Sequence, residues 1–243
     1  MTLVVNQGDY SKVYKEKNNL NNNMNPGDLQ GSPDESFFSQ DTIVFIDEAF
    51  LSKLSKYFGN GKYIKFNRAF FAKNIAKKQK LSCKHIFLYI APPFREPIPS
   101  EEQEKKKEGY DKFLYKLKED GMVVREGRCQ RLKIDGKFEY SQKAVDVLLA
   151  MDLTNVLINF STIKNVILIS SDSDFVPIIK NLDDNGVKTI LYTYYEKGRK
   201  AIFSTSNELI KTVYKYVLLA KEDFLNAQLN KFTHKPSEVK TWK

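Results

Sequence analysis

With 243 residues, 42% of them hydrophobic and 13% aromatic, the chain is long enough for one packed domain with tails, and too apolar to be disordered throughout. The formal net charge is +9; residues 1–40 hold three lysines against five acids, so the remainder carries +11 and the folded part is the basic part. That balance favours a polyanionic partner, nucleic acid foremost, over the plainer account of a lysine-solvated surface.

Two cysteines, Cys83 and Cys129, lie far apart in sequence, which excludes a disulfide scaffold and points to a reducing compartment. The N-terminus lacks the basic start and apolar stretch of a signal peptide, and no apolar run approaches ~20 residues. A cytoplasmic protein with no membrane contact is expected.

In chain order, residues 1–40 are Asn-rich and aperiodic ("NNLNNNMNPGDLQGSPDES") and read as a disordered tail. "TIVFI" (42–46) is a continuous β-branched run, the mark of a strand covered on both faces. "AFLSKLSKYFG" and "NRAFFAKNIAKKQK" read as helices, "HIFLYIA" (85–91) as a second buried strand and "PPFREPIPS" as a loop. A charged helix runs to Gly121, then an extended stretch turns at Asp135-Gly136. "SQKAVDVLLAMDLTNVLINF" (141–160) reads as a helix, "NVILIS" as a third buried strand, "DFVPIIKNLDDNG" as a helix ending at Gly186 and "VKTILYTY" as a fourth strand. A last helix is expected over "AKEDFLNAQLN", with residues 231–243 a flexible tail. Buried strands alternating with helices predict one α/β domain over about 41–230, with a mainly parallel sheet.

In such a sheet, function gathers beyond the carboxyl ends of the strands. Asp47 follows the first strand and Asp172 and Asp174 the third, while Arg95 follows the second and Lys197, Arg199 and Lys200 the fourth. In the helix read from 141, Lys143 and Asp146 share a face, and Asp152 falls on the apolar stripe with Val145, Leu148 and Leu149. A carboxylate there needs a partner or a metal, so Asp152 is either a cap or core ion pair, or a ligand. Likewise Asp172 or Ser173 is either an N-cap, with Asp174 a first-turn charge on the helix dipole, or part of an acidic site. Ser171 and Ser173, interleaved with those aspartates, are candidate substrate contacts.

Carboxylates gathered at one edge repel each other unless they protonate or share a hard cation, and an oxygen-only donor set suits Mg²⁺ or Mn²⁺. Two histidines, with His85 in a strand and His234 in the tail, disfavour zinc and a His-pair mechanism. Metal-activated water is the chemistry this inventory permits.

"VFIDEAF", "QKAVDVLLAMDL", "VILISSDSDFVPIIKNLDDNGVKTILY" and "STSNELI" resemble, in order and spacing, the NYN domain, a LabA/DUF88-like branch of the PIN-like metal-dependent ribonucleases. The likeness spans about residues 41–224. It implies a three-layer α/β/α sandwich, acids clustered around Mg²⁺ or Mn²⁺, and cleavage of RNA phosphodiesters. By motif it assigns Asp47, Asp146, Asp172 and Asp174 as metal-binding and catalytic, Lys143 as the basic neighbour and Asp152 as a further acid. Two departures stand out. Glu48-Ala49-Phe50 replaces the usual Asn after the first Asp, with Glu48 as the available substitute, and Ser171 replaces a Gly.

The reading is therefore an endoribonuclease. Lys143, Arg95, Lys197, Arg199 and Lys200 are expected on the phosphates of single-stranded or structured RNA, and Tyr194 or Tyr195 on bases. A non-catalytic RNA-binding adaptor and a metal phosphoesterase acting on DNA or nucleotides are the alternatives, and a homodimer is left open.

Overall fold

The computed structural model describes residues 40–196 and 202–229. The two expected tails, apart from Gln40, and the Lys197, Arg199 and Lys200 loop fall outside these residues.

The apolar run after Gln40 forms β1 (Gln40–Asp47), whose residues 43–46 are fully buried. It is flanked by two parallel neighbours, β2 (Leu81–Ile90) and β6 (Asn165–Ile169). With β3 (Val123–Glu126), β7 (Lys188–Thr193) and β8 (Lys215–Leu218), they make a six-stranded sheet of order β3-β2-β1-β6-β7-β8, every pairing parallel. Sequence alone suggests four of these strands. β3 lies within the stretch expected to be extended but does not stand out as a buried run, and β8, four residues long and exposed at three of them, carries no periodic signal.

Strand alternation divides the core. Val44, Ile46, Ile167, Ile169 and Tyr192 pack under α1 (Glu48–Phe58), α2 (Arg68–Lys78), α3 (Glu101–Glu119) and α7 (Lys221–Leu225). Ile43, Phe45, Phe87, Tyr89 and Leu168 pack under α4 (Val145–Asn159), α5 (Val176–Asp184) and α6 (Asn207–Thr212). This is the expected α/β/α sandwich. Phe224 of α7 is fully buried against Phe58, Phe66 and Phe71, which pins the last helix to α1 and α2. Burying one such ring stabilises by about 1.5–3 kcal/mol.

β4 (Arg128–Ile134) and β5 (Lys137–Lys143) pair as an antiparallel hairpin outside the main sheet. Asp135 (φ 50°) and Gly136 (φ 77°) are both left-handed, as a two-residue turn of this type requires. The hairpin corrects the helix read from Ser141. Ser141, Gln142 and Lys143 belong to β5, and the helix starts at Val145 after a left-handed Ala144 (φ 67°). Gly127 closes the hairpin's base, because a Cβ there would lie 2.5 Å from the Lys143 carbonyl oxygen. Cys83 and Cys129 are free thiols, and among the described residues no helix is long and apolar enough to cross a membrane.

Candidate active site

Asp47 ends β1 and caps α1. Its Oδ1 accepts from the backbone N–H groups of Ala49 (3.0 Å) and Phe50 (3.2 Å). The chain turns there because a buried strand gives way to a helix with its orphan donors exposed, and a short carboxylate satisfies two of them. Ser170, fully buried just past β6, donates its hydroxyl to Asp47 Oδ2 (3.3 Å) and accepts from the Asp172 N–H (3.2 Å). One hydroxyl thus ties two strand ends together. Asp172 in turn caps a 3-10 turn, Ser173–Phe175, by accepting from the Asp174 N–H at 3.0 Å. The capping and functional accounts of Asp172 are therefore compatible.

Asp47, Asp146 and Asp172 line one cavity of about 170 Å³, together with Gln142, Leu149 and Phe175. The three acids come from the ends of β1 and β6 and from the first turn of α4. Asp146 arrives because the left-handed Ala144 redirects the chain from β5 into the helix. Burial raises the Asp47 carboxyl above its ordinary range, and the Asp172 charge adds to this, against the lowering effect of the Phe50, Ser170 and Ala49 donors.

A second cavity, of about 380 Å³, shares Asp47 and Asp172 and is also lined by Lys53, Ser171 and Phe203. Lys53 Nζ sits 5.0 Å from the centre of the Phe203 ring. A third, of about 520 Å³, shares Ala49 and Gln142 with the first and is lined by Glu48, Arg68, Tyr63, Phe66 and Phe113.

Other predicted residues fall elsewhere. Asp174 and Ser173 are exposed and outside these cavity walls. Lys143 is an exposed strand residue opposite Arg128, so it shares no helix face with Asp146. Arg95 pairs with Glu104 at 2.5 Å, and its charge is engaged. Asp152 is buried, held by Arg125 Nε (3.0 Å) and the Tyr89 hydroxyl (2.9 Å). Burial nonetheless raises its carboxyl, the two partners opposing. Of the two accounts of Asp152, the core ion pair is the arrangement present. Glu48 turns away from the aspartates: Ser52 Oγ donates to its Oε1 at 2.6 Å, and Arg68 binds it at 2.6 Å between the rings of Phe66 and Phe113. Tyr194 packs with Tyr57, Phe58 and Phe203 rather than standing free for a base.

Three residues outside the motifs also line or hold this site: Ser170, Gln142 and Lys53. Ser170 carried a signal, a hydroxyl ending an otherwise wholly apolar strand beside a site. Gln142 and Lys53 carry none, since one continues an apparent helical pattern and the other is an ordinary lysine on an amphipathic helix.

Among the described residues, none of Asp47, Asp146, Asp172 and Asp174 has an ion-pair partner, whereas the buried Glu48, Asp152 and Asp223 pair with Arg68, Arg125 and Lys78. Among those residues no group of three or more His, Cys, Asp or Glu side chains is arranged as it stands to hold a metal ion. The donor chemistry nevertheless fits a hard divalent cation: oxygen-only ligands, unneutralised, around a cavity large enough for an ion with waters.

Comparison with known proteins gives the same fold and a family. The NYN domain family model matches residues 41–219. A crystal structure of a protein of unknown function from Vibrio parahaemolyticus aligns with a TM-score of 0.50 at 16% identity, covering 79% of this chain and 99% of that one. A search of curated proteins gave no match.

Proposed function

The chain belongs to the NYN domain family of PIN-like nucleases, and from that premise we propose that it is an endoribonuclease dependent on Mg²⁺ or Mn²⁺, acting on single-stranded or structured RNA. The observation that carries this is the contrast in charge pairing. The buried Glu48, Asp152 and Asp223 each have their own cation, whereas Asp47, whose carboxyl burial raises, has none among the described residues, and neither have the half-buried Asp172 and the exposed Asp146 that share its cavity. Uncompensated like charges held together cost stability, and the retained cost fits a site that receives a cation.

Asp47, Asp146 and Asp172 would hold the ion, with exposed Asp174 acting through water. When bound, the ion supplies Lewis acidity and lowers the pKa of water for in-line attack on phosphorus. The protein's own contribution is positioning. The α1 N-terminus and Ser170 fix both oxygens of Asp47, and the Ser170 hydroxyl sets the Asp172 backbone relative to it. Lys53, on the wall shared with Asp47 and Asp172, is placed to meet a phosphate oxygen. The fully covered sheet beneath leaves substrate access only from the strand ends.

The test is cleavage of an end-labelled RNA with Mg²⁺ or Mn²⁺ against the same reaction in EDTA, with single-stranded DNA and nucleotides as competitors. Internal cuts in RNA that EDTA abolishes support the reading. Cleavage that persists in EDTA, or binding without cleavage at any metal concentration, overturns it.

A further inference from the structure

We propose that the face of the β4–β5 hairpin bearing Phe138 and Tyr140 is the track along which single-stranded RNA reaches the carboxylate cavity; this rests on reading that cavity as nucleolytic. Among the described residues the hairpin's strands pair only with each other; of the five bases in residues 128–143, Arg131 and Lys133 lie on this face and Arg128, Lys137 and Lys143 on the other.

Its register defines the track. Cys129↔Gln142, Arg131↔Tyr140 and Lys133↔Phe138 are directly opposed, and opposed residues in an antiparallel pair share a face. Gln142, Tyr140 and Phe138 therefore follow one another along one side of β5, about 7 Å per step. Gln142 lines both the carboxylate cavity and the larger one beside it, so the track ends at the site.

The rings are open to solvent, Phe138 by 55% and Tyr140 by 58%. Their placement is nonetheless fixed. The Arg131 guanidinium lies 4.4 Å from the Phe138 ring centre and 4.7 Å from that of Phe94, Phe94 packs on Tyr140 with centroids 5.5 Å apart, and Arg131 pairs with Glu96. The hairpin is thus anchored to the loop after β2 instead of relying on two strands alone, which are marginal in water.

Two exposed rings beside Lys133, which has no ion-pair partner among the described residues, suit unpaired bases and a phosphate, since every base offers a face for stacking. A paired duplex hides those faces and offers only its backbone. A protein partner would instead favour a continuous apolar patch. The opposite face supplies a control: Leu132 and Ile134 are exposed there but lie off the track.

The test is fluorescence anisotropy of a labelled oligouridylate in EDTA, where cleavage is blocked, with the full chain. Phe138→Ala/Tyr140→Ala should weaken binding by at least roughly 30-fold. Lys133→Glu, a change at an exposed position that leaves packing intact, should weaken it and lower the log–log salt slope by about 0.7. Leu132→Ala/Ile134→Ala should bind as the parent does. The proposal is overturned by ring and Lys133 variants that bind like the parent, by equal loss in the Leu132/Ile134 pair, by equal affinity for duplex RNA, or by ring variants that change the oligomeric state instead. Turnover of bis(4-nitrophenyl) phosphate by the parent with Mn²⁺ reads the cavity alone. Its absence counts against the nucleolytic reading, whereas the binding series decides the track.

Discussion

Asp47 and Glu48 are neighbours in sequence and serve opposite arrangements. Asp47 opens onto a cavity of about 170 Å³ with two more carboxylates and no cation among the described residues. Glu48 turns into a cavity of about 520 Å³, where Arg68 forks onto it between two phenylalanine rings. The chain therefore neutralises a carboxylate at this strand end where structure needs it. Leaving the adjacent one without a partner is a property of the site and not a shortage of arginine. Glu48 consequently does not stand in for the polar residue usual after the first Asp; it is part of the scaffold.

The contrast predicts that the two acids fail differently. The largest effect belongs to the cavity: Asp47→Asn or Asp172→Asn should lower RNA turnover by about 10²–10⁴-fold, the range for a group that positions or deprotonates the attacking water. RNA affinity should hold or rise as repulsion of phosphate falls. Parent-like rates in both variants would place the chemistry elsewhere.

Next is the paired acid. Arg68→Ala leaves the 4%-exposed Glu48 side chain uncompensated and should cost about 3–5 kcal/mol. For a chain of this size that lowers Tm by roughly 6–20 °C. A thermal melt within about 2 °C of the parent would show that Glu48 gains no stability from its arginine.

The smallest effect is on pH. The folded-state carboxyl of Asp47 is raised above its ordinary value of 3.8, so the folded protein binds the proton more tightly than the unfolded chain does. Stability then falls as pH rises from that value through the raised one, and stays lower above it. Asp47→Asn keeps the N-cap acceptor but cannot ionise, so it should melt higher than the parent at neutral pH. The gap should close as pH falls towards the ordinary carboxylate range, and Mg²⁺ or Mn²⁺ should narrow it by stabilising only the parent. Tm measured across pH, with and without metal, checks all three. A lower Tm for the variant at neutral pH would show that the cap, not the burial of the charge, dominates at Asp47.

The buried strands and their acids were legible because full burial leaves an unbroken apolar run, and a carboxylate at its end breaks the pattern abruptly. Asp47 and Asp172 are of this kind. Asp146 was legible by motif, but its route into the site was not. The short segment "SQKA" continues an apparent helical period, and only pairing with residues 128–130 makes it a strand. Ala144 gives no sign in one sequence that it is left-handed. Asp152 shows the limit of pattern: an acid on an apolar stripe signals that a partner exists, but whether the partner is a metal or Arg125 depends on a strand edge 27 residues away.

The all-parallel sheet also sets a schedule. β1 lies between β2 and β6, and Thr42 bonds to Asn165 across 123 residues of chain. At a synthesis rate of about 5–20 residues per second, β6 emerges roughly 6–25 s after β1. Until β6 arrives, "TIVFI" keeps one edge unfilled even after β2 and β3 have emerged, the kind of surface that invites pairing with another chain. The strand that carries the first carboxylate is thus also the segment most in need of protection while the protein is being made.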